Sequence, residues 1–75
     1  MKIAGARLKR TKFIHTDRYV IAVDVEMVIP VDDPSEPCFE SETIDYLREL
    51  KERAEAGEVE WLKTQGKVYE ALDVN

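Results

Sequence analysis

The stretch Tyr19-Val20-Ile21-Ala22-Val23-Asp24-Val25-Glu26-Met27-Val28-Ile29 decides the fold. Its odd positions are all apolar, and its even positions include Asp24 and Glu26. Alternation with period two, rich in β-branched residues, describes a strand with one face buried and one in water. Pro30 and Pro34 end it, because proline lacks the N–H that a strand interior needs.

A second strand is expected over residues 3–14. Ala4, Ala6, Leu8, Arg10, Lys12 and Ile14 lie on one of its faces, and Arg7, Lys9 and Thr11 on the other. His15-Thr16-Asp17-Arg18 joins the two strands as a hairpin connection. Charge suggests the register. Setting Arg7 opposite Glu26 and Lys9 opposite Asp24 brings Leu8 to Val25, Ala6 to Met27 and Ile14 to Tyr19. Opposed charges across such a pair contribute ~0.2–1 kcal/mol each. Arg10 and Lys12 then fall on the apolar face, where long stems can carry their charges past a covering helix.

Residues 31–40 form an acidic, proline-containing loop. Residues 41–56 have helical spacing: Thr43, Leu47, Leu50 and Ala54 share a face with Ile44 at its edge, while Arg48, Glu49, Glu52 and Glu55 point outward. Ser41 is the expected N-cap, and Gly57 the left-handed stop. A short helix over 58–65 is expected to end the same way at Gly66, and a last strand to span 67–74. The fold class is therefore α+β, ordered ββααβ, in one domain over 1–75. A three-stranded, mostly antiparallel sheet carries the first helix on one face. That helix is expected to cover Leu8, Val23, Val25 and Met27, with Trp61 and Leu62 closing one end.

The 75-residue chain has 44% hydrophobic and 36% charged residues. A domain of this size buries only about 60% of the surface its unfolded chain exposes, so its stability margin is thin. The single cysteine, Cys38, rules out an internal disulfide, and the single histidine, His15, argues against a protein-only zinc site. Self-association or a tight core is left to compensate. There is no long apolar run or signal-peptide pattern, and a lone thiol suits a reducing compartment, so the expected location is cytoplasmic.

The net charge of −5 is uneven: residues 1–18 carry +5 and the rest −10. A basic arm can meet nucleic acid, but the register above gives it acidic partners within the chain. His15 beside Asp17 could do acid–base work, Cys38 could be a reactive thiol, and Asp32, Asp33, Glu36 and Glu40 could gather a cation. The blander readings are a solvated turn, an apolar plug and a solvated loop, and they are favoured. No catalytic residue, cofactor or metal is expected. There is no glycine-rich phosphate loop, nucleophile elbow or metal-spaced motif.

One likeness to a family exists. The strand ending Val28-Ile29-Pro30, the Pro37-Cys38 loop and Ser41-Glu42-Thr43-Ile44 opening a helix resemble HicB-type antitoxins over residues 19–56. The resemblance implies a small regulatory binding partner. The chain departs from that pattern after Pro30, where no Pro-Gly-Cys turn follows, and again after Gly57.

The expected function is a non-catalytic protein-binding or homo-oligomerising module. The alternatives are a nucleic-acid-binding or antitoxin-like protein using the basic strand, and an accessory subunit of an enzyme. The expected interaction surface is Arg10, Lys12, Arg18, Tyr19 and Tyr69.

Overall fold

The structure, a computed structural model, describes residues 3–72. Strand β1 spans Gly5–His15, β2 Tyr19–Pro30 and β3 Lys67–Glu70; helix α1 spans Ser41–Glu55 and α2 Val59–Lys63. The sheet order is β1-β2-β3 with both pairings antiparallel, which is the expected α+β arrangement. The last strand is shorter than expected: Ala71 and Leu72 lie beyond it, and positions 73–74 of the expected strand fall outside the described residues.

The hairpin register differs from the charge-based expectation by two residues. Leu8 pairs with Met27, Lys9 with Glu26, Arg10 with Val25, Thr11 with Asp24 and Ile14 with Ile21. The turn is the reason. The Thr16 N–H donates to the Tyr19 carbonyl at 2.8 Å, and the Thr16 hydroxyl accepts from the Tyr19 N–H at 3.0 Å. This closes the loop on Asp17 and Arg18. Local side-chain bonds of this kind hold a turn more firmly than two exposed charge pairs hold a register. Because the shift is an even number of residues, every side chain keeps its expected face.

The core lies at the turn end of the hairpin. Ile14, Ile21, Val23, Val25, Leu50, Ala54 and Leu62 form one buried cluster, with Tyr19, Phe39, Tyr46, Leu47, Trp61 and Val68 packed around it. Leu8 and Met27, expected beneath the helix, are half-buried and outside this cluster. Length explains the difference. The twelve residues of β2 reach ~40 Å at about 3.3 Å each. The fifteen of α1 reach only ~22 Å at about 1.5 Å each. Lys51, late in α1, donates to the His15 carbonyl, so the helix lies over the turn half of the hairpin. The other half projects. The molecule measures 50 × 23 × 16 Å with a radius of gyration of 14.6 Å, against about 11 Å for a compact chain of this length.

The helix ends show which glycines matter and why. Gly57 has φ 76°. Its N–H donates to Ala54, and the next N–H, of Glu58, donates to Arg53. These two bonds make a Schellman C-cap, as expected. Gly66 does not take a left-handed conformation. It is required by space instead, since a Cβ there would sit 2.2 Å from the Ala22 carbonyl oxygen. Ser41 is not the N-cap. Glu40 occupies that place with no side-chain cap, its carboxylate being engaged elsewhere.

Tyr46 ties α1 to the end of α2, donating to Gln65 Oε1 at 2.6 Å. Burial first, then the charge of Glu49, holds its phenol above the usual value of 10.0. A pKa raised on folding means a contribution that is complete below the unfolded value and lost as pH rises through the folded one. Tyr46→Phe is therefore expected to cost about 1 kcal/mol at neutral pH, the worth of one hydrogen bond. The gap between wild type and variant should narrow above pH 10 in urea-unfolding curves.

Candidate interaction surface

The layer at the far end of the hairpin is built around Val28. Arg7 pairs with Val28 from one side and Cys38 bridges it from the other, exchanging both backbone hydrogen bonds at 2.7 and 2.9 Å. Opposed residues share a face, and Glu40, two positions after Cys38, returns to that face. Glu40 takes the Arg7 guanidinium on both oxygens, at 2.7 and 2.9 Å, and also accepts from the Ile3 N–H at 2.8 Å. Glu26 adds a weaker contact at 3.3 Å. The bidentate bond to Glu40 above all, and then Glu26, raises the Arg7 pKa further above its ordinary value. Val28 is fully buried in this layer. Arg7 is thus spent on structure, and its expected partner Glu26 is secondary to Glu40.

The other expected surface residues separate into two places. Arg18 lies at the turn, 3.6 Å from Glu70 and over the Tyr19 ring at 5.6 Å. Tyr19 packs against the core, whereas Tyr69 is 52% exposed on the opposite face of the sheet. Arg10 and Lys12 lie midway along β1. Lys12 stands 5.6 Å over the Phe39 ring. The side chains of Arg10 and Lys9 have no ion-pair or hydrogen-bond partner among the described residues.

Sequence reasoning did not pick out Phe13. It is 55% exposed on β1 opposite Ala22, across β2 from Tyr69. With Thr11, Asp24, Gln65, Gly66 and Lys67 these residues line an open groove of about 490 Å³ on the face away from the helix. Its signal was an aromatic on the face otherwise occupied by Lys9 and Thr11. A second groove, of about 590 Å³, lies between the hairpin turn and the end of α1. His15 and Lys51 line it, and Lys51 is held by the His15 carbonyl.

The remaining candidates do not converge. Asp32, Asp33 and Glu36 are exposed in the loop, while Glu40 is with Arg7. Among the described residues no group of His, Cys, Asp and Glu side chains could hold a metal ion. Cys38 is a half-buried free thiol. Trp61 packs on the core, with the Arg53 guanidinium stacked 4.1 Å from its ring centre. No described helix is long and apolar enough to cross a membrane.

Comparison of the chain with protein-family models, with curated proteins and with solved structures finds no match.

Proposed function

We propose that this chain is a non-catalytic protein-binding module, working in the cytoplasm, whose contact surface is the β1 side of the β1–β2 hairpin. The observation that carries this reading is the mismatch in length between hairpin and helix. The mismatch leaves Leu8 and Met27 at the margin of the core, and the sheet order leaves the outer edge of β1 without a partner strand among the described residues. Unpaired strand edges are templates for extended peptides. The cytoplasmic placement is supported by the lone thiol of Cys38.

Display of random peptides against the immobilised full chain tests the reading, with amide chemical shifts mapping the site of the enriched peptides. Enrichment is expected, with shifts concentrated over Gly5–His15 and its partner residues in β2. No enrichment, or shifts confined to the groove around Lys51 and Gly57, overturns it.

A further inference from the structure

We infer that the outer edge of β1 takes up an acidic, extended segment of another protein as a fourth strand of the sheet. This rests on the reading of the chain as a protein-binding module and names the chemistry of its partner.

The backbone sets the geometry. The Ala4 carbonyl accepts from Val31 and the Thr16 N–H donates to Tyr19, so the even residues of β1 turn their backbone groups toward β2. In an antiparallel ladder the intervening residues then point theirs the other way. The N–H and C=O groups of Arg7, Lys9, Thr11 and Phe13 therefore face outward, and no described residue pairs with them. His15, at the end of this row, has its carbonyl taken by Lys51. The usable edge thus runs from Arg7 to Phe13.

Charge selects the occupant. Lys9 lies on one face of the sheet, and Arg10 and Lys12 on the other. A nucleic-acid backbone laid on either face meets only part of this set. A strand added at the edge sends alternate side chains to both faces and meets all three. A second copy of β1 is a poor occupant. Sliding one antiparallel copy past the other in steps of two residues sets Lys9 against Arg7, Lys9 against Lys9, Arg10 against Arg10, Arg10 against Lys12, and then Lys12 against Lys12. Every extensive register therefore opposes like charges, which is destabilising. Acids opposite Lys9, Arg10 and Lys12, with apolar residues opposite Leu8 and Phe13, satisfy both faces.

The test uses the full chain and a short synthetic peptide of that pattern, with its charge-reversed counterpart as control. Two N-methylated versions block its backbone N–H groups, one at the positions bonded to β1 and one at the positions between. Calorimetry should show binding of the acidic peptide that weakens with added salt, and slowed exchange of the Lys9 and Thr11 amides. The first N-methylated version should lose at least about tenfold in affinity and the second little. The variant Lys9→Glu with Arg10→Glu should lose the acidic peptide and gain its charge-reversed counterpart. Failure of the acidic peptide to bind means a basic edge that only prevents aggregation, and overturns the inference. So does equal loss on either N-methylation, a dimer whose contact maps to β1, or tighter binding of single-stranded RNA or DNA at the same residues. Enrichment of neutral or helical peptides at this edge would overturn the inference while leaving the protein-binding reading intact.

Discussion

Leu50→Ala is expected to lower the unfolding free energy by about 3 kcal/mol, within the ~2–5 kcal/mol usual for a buried leucine. Leu50 has no exposed surface and belongs to the cluster with Ile21, Val23 and Leu62. It is the deepest large residue that α1 presents to the sheet, since Leu47 and Tyr46 are only half-buried and Ile44 is 45% exposed. Truncation leaves a cavity bounded by β-branched side chains on a rigid sheet, which do not move in to fill it. A chain of this length has a total stability of roughly 4–11 kcal/mol at 0.05–0.15 kcal/mol per residue, so this one change removes a large part of it. Trp61 packs on the same cluster, and its fluorescence reports the transition in urea. The midpoint should fall while the slope stays unchanged. Leu72→Ala, at a residue 86% exposed, should stay within about 0.5 kcal/mol of wild type. If Leu50→Ala costs no more than Ile44→Ala, α1 does not dock on the sheet through this face.

The parts of the fold that could be read in advance are those set by local periodicity. Alternation in Tyr19–Ile29 defined β2 and its buried face, and the spacing of Leu47, Leu50 and Ala54 defined the inner face of α1. Parity also protected the assignment of faces in β1, although the register was displaced. What escaped depends on partners distant in the chain. Arg7 has an acid available on the neighbouring strand, yet it binds Glu40, 33 positions away, and no local spacing reveals that choice. The same pair holds the Glu40 carboxylate, so the residue at the N-cap position makes no side-chain cap, and Ser41 is the first residue of α1. The reach of the helix was open to arithmetic, because a fifteen-residue helix is too short to cover a twelve-residue strand. The candidate surface was half legible. Arg10 and Lys12 stood out as charges on an apolar face, but Lys9 was expected to pair with Asp24. The register shift sets Asp24 opposite Thr11, which donates to it, while the Glu26 now opposite Lys9 makes its ion pair with Arg7 instead.

Gly66→Ala is expected to cost about 2–4 kcal/mol, although Gly→Ala is stabilising by roughly 0.4–1 kcal/mol wherever the backbone tolerates it. The new Cβ would lie 2.2 Å from the Ala22 carbonyl oxygen and 2.9 Å from Val23 Cγ1. The nearer atom is backbone of the central strand, so no rotamer change relieves the clash. The corner between α2 and β3 must instead move away from β2. The four-residue β3 pairs with β2 over Tyr19–Ala22, with one further hydrogen bond from Ala71 to Arg18, and its displacement strains the Tyr46–Gln65 hydrogen bond and uncovers Val68. Amide exchange should show β3 and the Ala22 region losing protection before the β1–β2 ladder does. Gly57→Ala separates the two uses of glycine in this chain. Nothing lies within 4 Å of a Cβ there, and only the φ of 76° opposes it. The expected cost is about 1–2 kcal/mol, the penalty for a left-handed alanine. A larger effect at Gly57 than at Gly66 would mean that the helix stop, and not the close approach to β2, holds this end together. Because β3 and the outer edge of β1 flank β2 on opposite sides, Gly66→Ala should also leave the affinity of an acidic strand for β1 almost unchanged in whatever fraction remains folded. Loss of that affinity would place the partner's contact on the Phe13–Tyr69 groove, which Gly66 helps to line.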